Sequence, residues 1–448
     1  MPVKTTVPGL VIAAPASGSG KTLVTLALLR AFANAGFSVA SAKAGPDYID
    51  PVFHRFATGR ACVNLDPWAM RPATITHLIT ALSDNTELVL AEGVMGLFDG
   101  VNLPGRPDAG STADLAALTG WPVVLVVDAS RQAASIGALV AGFAQHRSDI
   151  NVVGVILNRV VSATHTAVLQ DAVELATPEV AVLGAVPHDA KLALPERHLG
   201  LVPAGEHEAL EPFLDNAARI AAEHIDLTVL KGLARHAQLI EIANENSPPI
   251  PPLGQRIAVA QDRAFGFTYA SLLDAWRKAG AEIVPFSPLA NQAPDSDADA
   301  VYLPGGYPEL HAGELTAATR FLDGLRAAAA RNVTVFGECG GYMVLGESLT
   351  DGDGETHKMA SLLPVRTSFA ERRLHLGYRI ATLAGESPLG EKGVAFRGHE
   401  FHYATVVREG PGQPLFEAAS ATGAGLGPCG CVIGSVSGSF IHLIDRAA

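Results

Sequence analysis

Apolar positions along this 448-residue chain fall into two successive alternations of short β-branched runs and helical stripes. In the first, residues 9–14, 88–92, 123–128, 152–158 and 180–186 are apolar at nearly every position, 38–43 is a run of mostly small residues ending in lysine, and all are too short for helices. That is the mark of strands buried on both faces. Segments 22–35, 112–119, 133–143 and 164–175 between them carry apolar residues at helical spacing and predict amphipathic helices. Strand and helix alternating in this way predict a mostly parallel sheet covered on both faces. An irregular stretch at 190–203 and further helical patterns lead to residues 246–254, where four prolines rule out a helix interior or central strand and mark a linker. The second alternation places strands at 256–260, 282–286, 300–303 and 333–336 and helices at 269–279 and 315–330. Beyond it lie strand-and-turn segments that include 399–407 and 431–435. The expected organisation is a domain over 1–240, a proline-rich linker over 241–255 and a second domain over 256–448, all of α/β class.

Composition narrows what such domains bind. Nearly half of the residues are apolar and 17% are charged, a globular composition with ample core. A formal net charge of -13 argues against nucleic acid and against an anionic membrane surface. Cys62, Cys339, Cys429 and Cys431 have neither disulfide-framework nor metal-site spacing, which predicts a reducing, cytoplasmic setting. The apolar run 7–15 leads straight into a glycine-bearing turn and is a first strand, not a signal peptide; no run reaches membrane-spanning length.

That turn carries the first chemistry. Ser17-Gly18-Ser19-Gly20-Lys21-Thr22 lies between strand and helix, where backbone N–H groups bind phosphate, Lys21 neutralises terminal phosphate charge and Thr22 can ligate Mg2+. The motif departs from the usual P-loop at its first glycine, replaced by Pro15. Ala16 stands where partitioning-type ATPases carry a second lysine, which disfavours a membrane or filament switch. Metal–nucleotide chemistry also requires acids at strand ends. Asp47, Asp50, Glu92 and Asp99 follow strands; Glu92 and Asp47 are candidate metal ligands, and Asp47, Asp50 and Asp99 candidate substrate-site acids. Asn158, closing another strand, is a candidate ATP contact at the adenine. ATP and Mg2+ are the expected cofactors.

The second chemistry lies in Phe336-Gly337-Glu338-Cys339-Gly340-Gly341, a strand–turn–helix elbow with a thiol at the bend, where the following helix N-terminus is expected to lower the thiol pKa. Gly305, Gly306 and Gly340 are candidates for oxyanion and glutamine binding. His442, after a strand-like Gly-Ser-Phe-Ile, is the candidate base. His399 and His402 are spaced oddly on a strand, and Tyr403 stands where a helical zinc motif would need histidine, so a metal role is disfavoured.

With these residues in place the chain resembles the cobyrinate or hydrogenobyrinate a,c-diamide synthases, glutamine-dependent amidoligases of corrin biosynthesis. The likeness runs through the variant P-loop, Gly45-Pro-Asp-Tyr-Ile-Asp50, Glu92-Gly-Val-Met-Gly-Leu-Phe-Asp99, Leu194-Pro-Glu-Arg-His-Leu-Gly-Leu201, Gly305-Gly-Tyr-Pro-Glu309, the elbow and Gly398-His-Glu-Phe-His-Tyr403. It implies a dethiobiotin-synthetase-like P-loop domain followed by a class I glutaminase-like α/β domain. It also implies ATP-dependent phosphorylation of acetate carboxylates and their amidation, at positions c and a, by ammonia that Cys339 and His442 release from glutamine. A sheltered route for the ammonia is expected. Class I glutaminases place Glu two residues after the histidine; this chain has Ile444 there and Asp445 one further on, so another group is expected to orient His442. Arg366, Arg372, Arg373, Arg379 and Arg397 are charges available to an anionic macrocycle, although most are expected on a solvated face. The partners implied are glutamine, ATP and hydrogenobyrinate or cobyrinate, with the metal-free corrinoid favoured and a homodimer left open. Competing readings are a cobyric acid synthase acting on other side chains and a regulatory P-loop switch with a degenerate glutaminase domain.

Overall fold

The computed structural model describes residues 2–189, 192, 196–197, 200–201, 204, 209–240 and 247–447. The chain separates into two compact units, one of Met1–Trp68 with Pro72–Glu245 and one of Ala69–Arg71 with Asn246–Ala448.

The first unit is built on strands β1 (Pro2–Ala13), β2 (Val39–Ala44), β3 (Val63–Leu65), β4 (Leu88–Glu92), β5 (Val123–Asp128), β6 (Val152–Val160) and β7 (Ala181–Pro187). They lie in the order β3-β2-β4-β1-β5-β6-β7 and pair in parallel. An eighth strand, β8 (Arg235–Ile240), runs antiparallel to the first half of β1. Helices α1 (Lys21–Asn34), α2 (Asp50–Thr58), α3 (Thr112–Thr119), α4 (Ser135–Gln145), α5 (Ala163–Ala176) and α6 (Leu210–His224) belong to the same unit, as do the helices Pro72–Leu82 and Leu227–Leu233. All of β2 and β4 is buried, β4 as its apolar run predicts and β2 although it carries Ser41 and Lys43. After β1 the chain passes over β4 to reach β2, and after β4 it returns past β1 to β5. The carboxyl ends of β1 and β4 therefore flank a topological switch point, where open α/β sheets bind ligands.

The polar Lys4-Thr5-Thr6 segment hides the first half of β1 from an apolar-run reading, and β3, three residues long, offers no run at all. Helix α2 opens with Asp50-Pro51, a first-turn proline that keeps its helix because its missing N–H has no intrahelical partner to lose. Of Leu194–Leu201 only Glu196–Arg197 and Gly200–Leu201 are described, as two short antiparallel strands; the rest of that motif, and residues 241–246 of the expected linker, lie outside the described residues.

In the second unit, β9 (Arg256–Ala260), β10 (Glu282–Phe286), β11 (Ala300–Leu303), β12 (Thr334–Glu338), β17 (Cys431–Ile433) and β18 (Val436–Ser439) form a sheet of order β10-β9-β11-β12-β18-β17, parallel except for β17. A five-stranded antiparallel sheet holds β13 (His375–Leu383), β14 (Ala395–His402), β15 (Phe416–Ser420), β16 (Gly425–Cys429) and β19 (His442–Arg446) in the order β16-β15-β13-β14-β19. Helices α7 (Ala270–Lys278), α8 (Thr319–Ala330) and the short α9 (Gly340–Leu345) accompany them. Phe265, Leu303, Phe321, Leu325, Val335 and Tyr342 belong to the buried core.

Three expectations change here. The helix expected at 315–330 is two, Ala312–Ala317 and α8, because Ala318 leaves helical geometry at φ -77° and ψ 66°. The strand expected at 399–407 is broken, because the chain changes sheets: β14 ends at His402, and Thr405–Glu409 pairs with Val365–Ser368. The strand expected at 431–435 is the start of a hairpin, turned at Gly434.

Candidate active sites

The first site gathers at the switch point. Gly20 caps α1 at φ 88°, a left-handed conformation that favours glycine, and a Cβ there would collide with Asn158 Nδ2. Asn158 is buried and donates from Nδ2 to Ser19 O at 2.9 Å, and Arg159 donates to Gly18 O at 2.9 Å while pairing with Asp128. The Asn158 amide thus braces the phosphate loop from below. Ser19 Oγ donates to Ala16 O, leaving Ser17 and Gly18 at the exposed rim. Pro15, in place of the usual first glycine, abuts the loop after β4: its carbonyl lies 2.7 Å from where a Gly96 Cβ would stand, and Leu97 N–H donates to Ala14 O at 2.8 Å.

Around the loop the acids converge. Thr22 Oγ1 donates to Glu92 Oε1 at 2.6 Å, and Lys21 Nζ lies 3.7 Å from the same oxygen. Sequence reasoning missed Lys43 and His54. Lys43, buried at the end of β2, pairs with Asp50 and donates to Glu92 Oε1 at 2.9 Å. His54, buried on α2, meets Glu92 Oε2 through Nε2 at 2.7 Å, with Cys62 Sγ 3.5 Å from its Nδ1. The signal was available at helical spacing: with α2 starting at Asp50, His54 lies one turn on, on the same face. Asp47 Oδ1 accepts from Ile49 N–H at 2.7 Å and Asp50 N–H at 3.1 Å, and Oδ2 lies 3.9 Å from Lys43 Nζ. Asp99, exposed, closes its own turn by accepting Gly96 N–H at 2.7 Å.

Charge follows from this packing. Burial alone would raise the Glu92 carboxyl, but Lys43, His54 and Lys21 hold it well below the usual carboxylate range. Asp50 is pushed up to about 7 by burial and by Asp47, against the pull of Lys43. Burial and the neighbouring Lys43 lower Lys21, whereas Asp50, Glu92 and Asp47 outweigh burial at Lys43 and raise it. Burial would depress His54, yet Cys62 and Glu92 raise it to about 10. A hard-oxygen donor set from the ends of β2 and β4 thus meets Thr22 at the start of α1, with Lys21 and Lys43 interleaved.

The second site is an elbow. Between β12 and α9, Cys339 takes φ 48° and ψ -105°, a strained conformation for a residue with a side chain. Its N–H donates to Ser439 O at 2.8 Å, fixing the bend against β18. Both Cys339 and His442 are almost wholly buried, and Gly305 shows how closely they meet. A Cβ on Gly305 would collide with His442 Cε1 and lie 3.3 Å from both His442 Nε2 and Cys339 Cβ. Gly306 N lies 3.1 Å from the Cβ position of Gly340, so the expected oxyanion donors are neighbours beside the thiol.

The thiol is not lowered as expected. Burial pushes the Cys339 pKa up, and the carboxylates of Glu309, Glu338 and Glu400 act in the same direction, opposed by one backbone hydrogen bond from Gly340. Burial, then His399, holds His442 well below its usual value. The resting pair is therefore thiol and neutral imidazole, suited to proton transfer during attack. His442 stacks on His399 with ring centroids 4.9 Å apart and 13° between planes, and His399 Nε2 lies 3.1 Å from Tyr269 OH. Asp445, one residue past the position of the usual third acid, accepts from Arg71 through backbone N–H at 2.8 Å and Nε at 3.0 Å. Of the five arginines read as a cluster, Arg366 pairs with Glu347 and Arg379 with Glu400, which removes two from any common anion site.

Residues 10–202 match the CobQ/CobB/MinD/ParA nucleotide binding domain, and residues 256–447 match the CobB/CobQ-like glutamine amidotransferase domain. Over 98% of its length, and 98% of the relative's, the chain is 55% identical to a protein of Brucella anthropi named hydrogenobyrinate a,c-diamide synthase. The chain belongs to the hydrogenobyrinate a,c-diamide synthase family. A Rhizobium meliloti member is 52% identical over 98% of this chain and 99% of its own, and one from Mesorhizobium japonicum is 49% identical over the same shares. In this family member the nucleotide-binding domain carries the phosphate loop with Lys43 and His54, and the amidotransferase domain carries Cys339, His442 and the paired glycines. Among the described residues no helix is long and apolar enough to cross a membrane.

Proposed function

We propose that this chain amidates the a and c acetate side chains of hydrogenobyrinate, with ATP as the activating group and glutamine as the nitrogen donor. The observation that carries the reading is the 55% identity, over 98% of the chain, to a protein named for that substrate.

In the nucleotide-binding domain, backbone N–H groups from Ser17 to Thr22 and the start of α1 receive the ATP phosphates, and Lys21 offsets charge on the terminal one. Mg2+ bound there would supply further charge neutralisation, and Thr22 and Glu92, whose Oγ1 and Oε1 lie 2.6 Å apart, would hold it with Asp47 as hard oxygen donors. Lys43 keeps Glu92 ionised and ready for that role. Asp50 and Asp99 border the position of the acetate carboxylate, which attacks the terminal phosphate to give an acyl phosphate and ADP.

In the amidotransferase domain, His442 takes the thiol proton as Cys339 Sγ attacks the carboxamide of glutamine. The N–H groups of Gly306 and Gly340 meet the developing oxyanion. His442 returns the proton to the departing nitrogen, ammonia leaves, and water hydrolyses the thioester to glutamate. The ammonia displaces phosphate from the acyl phosphate and leaves the amide.

The test is to incubate the purified protein with ATP, Mg2+, glutamine and either hydrogenobyrinate or its cobalt-containing counterpart, and to count amides by mass. Two amides on hydrogenobyrinate are expected. Turnover only of a later, already amidated intermediate, or no turnover of any corrinoid, overturns the reading.

A further inference from the structure

The position two residues after His442, where class I glutaminases carry a glutamate, is Ile444, and Asp445 is held by Arg71. A different buried acid lies between the two catalytic strands. Glu338, 3% exposed, ends β12 immediately before Cys339. Its Oε2 accepts from Tyr302 OH at 2.6 Å, and its Oε1 accepts from the backbone N–H of Leu443, the residue after His442, at 3.1 Å.

The surrounding topology explains why this link matters. Glu338 is in register with Ser439 on β18, and Cys339 N–H donates to Ser439 O, so the nucleophile is fixed to the central sheet. Beyond Ser439 the chain leaves that sheet. By His442 it has joined the antiparallel one, where His442 pairs in register with His399. The base and the nucleophile thus belong to different sheets, and the Glu338 carboxylate spans the step between them. Tyr302, on β11 beside β12, steadies the carboxylate from the other side. Burial pushes the Glu338 pKa up to about 7, against the two hydrogen bonds it accepts, so the group is costly to maintain without a function.

We infer that Glu338 is the positioning residue of the Cys339–His442 pair, holding the peptide after the histidine where a class I glutaminase would hold the imidazole itself. The inference rests on the glutamine-hydrolysing reading of this site. Glu338 touches neither glutamine nor the reacting atoms; it fixes the rung on which His442 is carried, and with it the reach from imidazole to thiol. Misplacement by about an ångström costs a reaction of this kind about 100-fold.

The experiment compares wild type, Glu338→Ala, Glu338→Gln and Cys339→Ala in the full-length protein, with glutamine and then with ammonium as nitrogen source. Glutamine binding is followed separately by calorimetry. Glu338→Ala is expected to lower kcat for glutamine about 100-fold, to leave KM for glutamine and calorimetric binding within about twofold, and to leave the ammonium-dependent rate unchanged. In Glu338→Gln the amide oxygen still accepts from Leu443 while the amide nitrogen donates to the Tyr302 oxygen, so this variant is expected within about fivefold of wild type. A wild-type kcat in Glu338→Ala overturns the inference, as does a loss in Glu338→Gln equal to that in Glu338→Ala, which would mean that the carboxylate itself exchanges protons. Lost glutamine binding in Glu338→Ala also overturns it, by showing a general structural role. The underlying reading fails in a distinguishable way, through glutamine-dependent turnover that survives Cys339→Ala.

Discussion

Gly305→Ala places a single methyl group between Cys339 and His442. The added carbon would collide with His442 Cε1 and stand 3.3 Å from His442 Nε2 and from Cys339 Cβ. Gly305 lies two residues past β11 with its carbonyl accepting from Phe267 N–H at 3.0 Å, and Cys339 is fixed through Ser439, so the imidazole is the group displaced. Restoring ordinary carbon contact requires the ring to shift by roughly 1 Å, and a shift of that size carries a penalty of about 100-fold in rate. That corresponds to ~2.7 kcal/mol of lost transition-state stabilisation. The assay is steady-state amidation with glutamine and with ammonium, alongside thermal unfolding. The expected result is a glutamine-dependent kcat about 100-fold lower with an unchanged ammonium-dependent rate. A glutamine-dependent rate within about threefold of wild type in a folded variant would refute the placement of His442 over Gly305.

Two further outcomes concern the nucleotide-binding domain. Gly20→Ala forces a side chain into φ 88° and into Asn158, a conformation costing about 1–2 kcal/mol, so KM for ATP should rise about tenfold while basal glutamine hydrolysis is unaffected; an unchanged KM for ATP contradicts the brace. His54 is raised in the folded state from 6.5 to about 10, so its proton-linked stability is fully present below pH 6.5 and lost as pH rises through about 10. The gap in unfolding temperature between wild type and His54→Gln should therefore be widest at low pH and close toward pH 10; a gap independent of pH would show that His54 carries no charge.

The sequence made the reaction legible sooner than the geometry. Lys21 and Cys339 sit in motifs whose local form, strand then glycine turn then helix, is written within a few residues, and the strands β4 and β5 are continuous apolar runs that only a doubly covered sheet explains. Lys43 was invisible for the opposite reason. It closes a strand of small residues, and nothing nearby in sequence reveals that its ammonium will lie between Asp50 and Glu92, the latter 49 residues away. Glu338 stands inside a motif already in view, but its contact with Leu443 depends on a register set 105 residues on. The thiol pKa was misjudged because a helix N-terminus is readable from sequence and burial among three glutamates is not. Asp445 illustrates the same limit: it stands one residue past the usual place of the third acid, and its partner is Arg71, 374 residues away.

On the function proposed above, two separate sites on one chain cooperate, one activating a carboxylate and one supplying the nitrogen. This cooperation is tested most directly by measuring corrinoid amidation by the Cys339→Ala protein with ATP and Mg2+, once with glutamine and once with ammonium. The account predicts amidation with ammonium at the wild-type rate and none with glutamine. Amidation with glutamine, or loss of both activities in a folded protein that still binds ATP, would contradict it.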